Sequence, residues 1–278
     1  MQNRYFGDVG DFGKYGLLHI LSGSNGGQVL RLGVVWYLYP DEGHNADGKH
    51  VNYLLGNDPV FRDCDQELYD KLRALLFDDH GQLIEANRHT SSAEKSGLLP
   101  EGTVFYSKPL SYSKEQSFSA RVSLRTEWFD KAMATTVSAD LVFLDPDNGI
   151  ECASVKRTAP KGPKYVFWDD IDAFVKRGQS VLIYHHLGHN GSHPEQVEGK
   201  LMQMNERFGK GFEASALTFK RGTSRAYFLI ASSQHKDFLR ERLQKIRSGL
   251  WNPHFIVHEK PCYTCDDLSG ADPSTSSG

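Results

Sequence analysis

The stretch Asp140-Leu-Val-Phe-Leu-Asp-Pro-Asp-Asn-Gly149 decides how the rest of the chain is read. Leu141 to Leu144 form a short, wholly apolar run stopped at once by turn residues, the pattern of a buried parallel strand. In an open α/β sheet, ligands bind just beyond the carboxyl ends of such strands. Asp145 and Asp147 are therefore expected at the mouth of a cleft. Pro146 fixes φ and removes a donor, so the two carboxylates leave the strand along a stiff path. Asp, Asn and Gly also favour turns for purely local reasons, and an Asp-rich turn that only caps the next element is the competing reading.

Upstream, Arg4 to Leu21 carries glycines at 7, 10, 13 and 16, with Asp8, Asp11, Lys14 and Tyr15 among them. From Asp11 the segment reads as a helix capped by that residue, with Leu17, Leu18 and Leu21 turned inward. So many glycines in a helix imply close backbone approach to a neighbour or a mobile arm. Residues 32–39 form a second apolar strand, ending in the polar turn Pro40 to Gly48. Neither Gly-x-Gly-x-x-Gly nor Gly-x-x-x-x-Gly-Lys-[Ser/Thr] occurs, so nothing points to NAD or ATP.

Residues 58–86 space Leu68, Leu72 and Leu75 or Leu76 as an amphipathic helix, and 86–100 reads as a loop. Val104 to Tyr106 is a short strand, and Trp128 to Met133 belong to the helix leading into 141–144. Lys164 to Gly178 starts extended and turns helical, with Asp169 and Asp170 placed to favour a helix N-terminus. Ser180 to Tyr184 is a strand that delivers His185, His186 and His189. A helix over 194–208 follows, then strands 214–219 and 225–231 joined by the Lys220 to Ser224 turn as an antiparallel hairpin. A helix over 234–248 and a strand at 255–257 close the fold. The pattern predicts one Rossmann-like α/β domain over 1–260. It has a mainly parallel sheet, helices on both faces and a C-terminal antiparallel hairpin. The polar tail 261–278 is expected to be disordered.

Composition is that of an ordinary globular protein, 24% charged and 39% apolar over 278 residues. No apolar run approaches the ~20 residues a bilayer span needs, and the N-terminal residues form no signal-peptide core. With four cysteines and no dense spacing, a disulfide framework is not expected and a cytoplasmic setting is. A formal net charge of −3 argues against wholesale electrostatic binding to nucleic acid but leaves room for a local basic strip. Lys156, Arg157, Lys161 and Lys164 form one basic cluster, and Lys220, Arg221 and Arg225 another; for each alone a solvated loop is the plainer reading.

With these landmarks in order, the chain resembles class I S-adenosylmethionine-dependent methyltransferases. In particular it resembles the large-subunit ribosomal-RNA adenine-N6 branch, whose sheet also ends in an antiparallel hairpin. The segment Val9-Gly-Asp-Phe-Gly-Lys-Tyr15 is similar to that family's glycine-containing N-terminal motif, with Lys14 and Tyr15 on its Lys-His pair. Tyr39 to Gly48 stands at its cofactor turn, Tyr106-Ser-Lys-Pro109 at its Tyr-Pro-Gly-Ser-Pro segment, and Asp145-Pro-Asp-Asn148 at its catalytic Asp-Pro-Pro-Tyr. The resemblance implies S-adenosylmethionine as cofactor, held by Lys14, Asp41, Gly43, Gly48 and Ser107. It implies an amine of nucleic acid as acceptor, served by Asp145, Pro146, Asp147, Asn148 and Tyr15. The chain departs from the motif where Asp147 and Asn148 replace a proline and an aromatic. Asn148 offers no π face for a flipped base, so Phe12 and Tyr15, then Trp168, are the candidate replacements on or near an arm that closes over substrate.

Two other chemistries are open at this stage. Asp145, Asp147, Glu151, Asp169, Asp170, His185 and His186 are suitable donors for a divalent metal in a nuclease or hydrolase, although no compact ligand motif occurs. A methyltransferase-like module that binds without catalysing is the third. Separately, His254, His258, Cys262 and Cys265 have zinc-type side chains at compressed spacing.

Overall fold

The computed structural model describes residues 1–23, 28–43, 48–56, 58–188, 191–209 and 211–259. The apolar runs become a seven-stranded mixed sheet. Its strands are β1 (Leu32–Val35), β2 (Val104–Tyr106), β3 (Leu141–Leu144), β6 (Ser180–His186), β7 (Phe212–Phe219), β8 (Arg225–Ser232) and β9 (Phe255–Glu259). A separate two-stranded ladder joins β4 (Gly149–Ile150) and β5 (Tyr165–Val166). The spatial order is β2-β1-β3-β6-β8-β7-β9. β2, β1, β3 and β6 run parallel, and β8, β7 and β9 pair antiparallel, so the predicted hairpin closes the sheet.

Period-two alternation sends successive side chains to opposite faces. In β3, Leu141 and Phe143 join a core with α1 (Val9–Ser22), α3 (Gln66–Leu76) and α8 (Lys236–Ser248). Val142 and Leu144 join the opposite core with α5 (Phe118–Thr135), α6 (Trp168–Lys176) and α7 (His193–Phe208). Two short helices, α2 (Pro59–Arg62) and α4 (Thr90–Lys95), complete the first face. The register of β1 on β3 is pinned at the end away from the site. There Asp140 accepts from the Arg31 backbone N–H at 2.9 Å and from its guanidinium at 3.0 and 3.1 Å.

The order places a switch point between β1 and β3. From β1 the chain departs on the first face towards β2, whereas from β3 it departs on the other face, through α6, towards β6. Crevices at such points, outside the carboxyl ends of the strands, are where open α/β sheets bind ligands.

Several boundaries differ from the sequence reading. The first helix is capped by Asp8, whose carboxylate accepts from Gly10 and Asp11 N–H at 2.7 and 3.2 Å, and Asp11 lies inside the first turn. The segment is no mobile arm: Val9 to Leu18 are all buried. Its glycines answer to close approach. A Cβ on Gly10 would fall 1.1 Å from Arg225 Nη1, and Gly13 and Gly16 stand over Phe219 and Trp251 in the same way. The 86–100 stretch holds α4 rather than being wholly loop, because His89 caps Ser91 N–H and Thr90 docks on Asn3. The expected amphipathic helix is α3, with Leu68, Leu72 and Leu76 buried. The tail 261–278, with Cys262 and Cys265, and the position of His189 lie outside the described residues.

Candidate active site

Beyond β3, Asp145 is 2% exposed and its carboxylate meets Lys14 Nζ at 2.9 Å. Lys14, one turn into α1, also meets Asp11 at 2.8 Å. Asp11 in turn accepts from Gly7 N–H at 3.0 Å and from the Tyr15 hydroxyl at 3.2 Å. Burial opposes charge on Lys14, but Asp11 and Asp145 outweigh it and hold the ammonium well above the ordinary lysine pKa. The group is a permanent cation shared by two carboxylates, which is how a buried charge becomes tolerable.

The chain's own first residues lie in the crevice between β1 and β3. The Met1 α-amino group donates to the carbonyls of Tyr37 at 3.2 Å and Asp145 at 3.1 Å, and stands 3.7 Å from the Asp147 carboxylate. The Met1 carbonyl accepts from Tyr39 N–H at 2.9 Å. Its sulfur lies 3.7 Å from Lys14 Nζ. Gln2, fully buried, donates to Asp147 at 2.9 Å and to Glu42 at 3.2 Å, and accepts from Glu42 N–H at 3.0 Å. Lys164 joins Glu42 at 2.5 Å and Asp147 at 3.2 Å, over the ring of Tyr39. Burial raises the pKa of Asp147, but the Met1 amino group and Lys164 prevail and leave it below the usual carboxylate value.

The predicted residues sort by position. Lys14, Asp145 and Asp147 converge on one crevice. Asp41 lies at the same sheet edge, where it accepts from Arg4 N–H at 3.2 Å. Gly43 is exposed with open space around it, whereas Gly48, at φ +83°, is packed with its Cβ position 2.6 Å from the Arg4 carbonyl. Ser107 follows β2 and is half-buried. Asn148 uses its backbone to join β4 to its neighbours, donating to the Lys164 carbonyl at 2.9 Å and accepting from His186 N–H at 3.3 Å. The expected opening is corrected: the Asp145 carboxylate is buried against Lys14, and that of Asp147 against Gln2, Met1 and Lys164, not presented to solvent. Tyr15 is buried with its hydroxyl on Asp11, and Phe12 is buried among Tyr53, Phe61, Tyr69 and Trp251, so neither stands on a closing arm.

Sequence reasoning missed Met1, Gln2, Glu42 as a bonded group, and the role of Lys164. The only signal was negative: the stretch before Arg4 has no apolar pattern of its own, and contacts of a chain end made through backbone groups leave no periodicity.

The donors gathered for a metal site are dispersed. Asp170 pairs with Arg125 at 2.5 Å and Arg157 at 2.6 Å, Glu151 accepts from Trp168 N–H at 2.7 Å, and His185 Nδ1 accepts from Ile150 N–H at 3.0 Å. Among the described residues, no three His, Cys, Asp or Glu side chains are grouped to hold a metal ion. His254 contacts the Val60 carbonyl at 2.7 Å and His258 the Thr218 hydroxyl at 2.9 Å.

No family model, no curated protein and no solved structure matches this chain. Among the described residues, no helix is long and apolar enough to cross a membrane.

The basic clusters also divide. Arg157 and Lys164 are taken up by Asp169, Asp170, Glu42 and Asp147, and Arg225 is buried 3.7 Å from Asp8. Lys156 and Lys161 remain exposed, as do Lys108 and Lys114 on the loop after β2. The two loops adjoin, with the Tyr112 hydroxyl on the Arg157 carbonyl at 3.2 Å and Arg121 on the carbonyls of Thr158 and Ser113 at 3.1 and 2.8 Å.

Proposed function

We propose that the protein is an S-adenosylmethionine-dependent methyltransferase acting on an amine of nucleic acid. The observation that carries this reading is the donor set around Met1. At the switch point, a methionine is held by its amino group, its carbonyl and its sulfur together. S-adenosylmethionine offers an α-amino group and a carboxyl group of the same connectivity, so the residues around the Met1 backbone fit that part of the cofactor. The carbonyls of Tyr37 and Asp145 would hold its amino group and the Tyr39 N–H its carboxylate. When bound, the cofactor supplies the electrophilic methyl group.

The protein's own contribution is orientation. The Asp145 carboxylate and the Pro146 carbonyl serve as acceptors for the protons of the incoming amine, aiming its lone pair. Pro146 keeps that turn stiff. The exposed lysines 108, 114, 156 and 161 rim the adjoining loops at this edge of the sheet and suit phosphate contacts. Two carboxylates in the crevice also favour an amine over an anionic acceptor.

Transfer of labelled methyl from S-adenosylmethionine to RNA and to DNA tests the reading. Asp145→Asn should lower turnover by about a hundredfold or more while changing cofactor affinity only a few-fold. Unchanged turnover in that variant would remove Asp145 from the chemistry.

A further inference from the structure

The solvent side of α5 carries a feature that the crevice does not use. Phe118, Val122, Thr126 and Phe129 recur at helical spacing and form one stripe along it. At the N-terminal end of the stripe the apolar side chains are open to solvent, with Phe118 71% and Val122 40% exposed. Farther along it lies a recess of about 120 Å³ between α5 and the loop after β4, lined by Val122, Arg125, Thr126, Phe129, Arg157 and Thr158. That volume suits one flat group, since pockets that enclose a whole small molecule run to several hundred Å³.

The lining selects the group. Val122 and Phe129 supply apolar surface. Arg125 is 2% exposed and fixed by Asp170 and the Tyr165 carbonyl, yet its Nε is buried with no acceptor among the described residues. The same holds for Nε of Arg121, whose other nitrogens bond the carbonyls of Thr158 and Ser113. Buried donors without partners call for an explanation, and the edge of a nucleobase carries acceptors. Asp170 already faces both Arg125 and Arg157, so the recess offers hydrogen bonds at little net charge. A neutral ring fits that better than a phosphate or a carboxylate. Phosphates find their partners outside it. The loops 107–118 and 152–164 hold six basic residues against one carboxylate, Glu115. Of the six, Lys108, Lys114, Lys156 and Lys161 are exposed.

We propose that this face of α5 is a second site, for single-stranded nucleic acid. The recess takes one unpaired base, Phe118 stacks on a neighbouring base, and the four lysines follow the phosphates. A duplex is excluded because its base faces and edges are already occupied. The site goes beyond the methyl-transfer reading and stands without it, since strand binding here needs neither the cofactor nor Asp145. Arg125 lies 5.5 Å from the ring of Tyr37, just beyond β1, so the recess backs onto the β1 side of the crevice.

Fluorescence anisotropy of short labelled RNA and DNA, as mixed-sequence single strands and as duplexes, tests the site on the full chain without cofactor. Single strands of either kind should bind about tenfold more tightly than duplexes, or better. Phe118→Ala removes only an exposed ring and should weaken single-strand binding about tenfold with its salt dependence unchanged. Thr126→Trp fills the recess from its exposed rim and should weaken it by a similar factor. Lys156→Ala should weaken binding to all sequences alike and lower the salt slope by about one. Parent-like binding by either Phe118→Ala or a folded Thr126→Trp would overturn the base site, whatever the methyl-transfer assay gives. Equal affinity for single strands and duplexes, or no binding at low salt, would do the same. The expected pattern in a chain that transfers no methyl group would uphold this site and count against the cofactor reading alone.

Discussion

Phe12 packs its ring 5.1 Å from Trp251, 5.6 Å from Tyr53 and 5.9 Å from Phe61, with no exposure to solvent. A residue so placed acts on stability, and Phe12→Ala should cost about 3–5 kcal/mol in urea denaturation, with cofactor affinity measured on the folded fraction unchanged. His185 gives the pH counterpart. Burial first, then Lys200 and His186, push its pKa down to about 3, and its neutral ring accepts from Ile150 N–H. The unfolded chain binds this proton from about pH 6.5 downward while the folded chain does not. Stability from this group is therefore full above 6.5 and is lost as pH falls towards 3, with a slope of at most about 1.4 kcal/mol per pH unit. His185→Gln should flatten that part of the stability–pH curve; an unchanged curve would mean that the imidazole titrates normally in the fold.

At the scale of elements, the N-terminus of α6 is tied to α5 and to the loop after β4 by a buried ion-pair group. Asp170 accepts from Phe167 N–H at 3.2 Å and pairs with Arg125 from α5 and Arg157 from the loop after β4. The guanidinium of Arg125 lies 5.2–5.8 Å from the rings of Phe167, Tyr37 and Trp128. Breaking such a pair by removing one partner is expensive, and Arg125→Met should cost about 3–5 kcal/mol by urea titration. A loss below 1 kcal/mol would show that Arg157 alone satisfies the carboxylate. The elements themselves were legible where side-chain periodicity writes them. Leu141 to Leu144 are the strand they promised, Val104 to Tyr106 pair with β1, and the Lys220 to Ser224 turn joins the antiparallel pair. Carboxylates at 169 and 170 begin a helix, as their charge dictates. What did not show was tertiary. The glycine row at 10, 13 and 16 signals close approach, but only the fold says that the neighbours are Arg225, Phe219 and Trp251. In the site, Lys14 and Asp145 were readable as reactive types, while their union across 131 positions was not. Met1 and Gln2 act largely through backbone and amide groups, which composition does not mark.

For the whole molecule, the sheet order brings the ends of β1 and β3 side by side, with carboxylates in excess over lysines and an amino group whose pKa burial lowers. Asp11, Asp145, Asp147 and Glu42 face Lys14, Lys164 and the Met1 amino group. The central claim is that this crevice receives the methionyl part of S-adenosylmethionine for methyl transfer. A crystal structure of the full chain with S-adenosylhomocysteine tests it most directly. The account predicts the ligand's amino group on the carbonyls of Tyr37 and Asp145, its carboxylate at Tyr39 N–H, and Met1 displaced from the crevice. Met1 still seated there, with the ligand bound elsewhere or absent at saturating concentration, would contradict it.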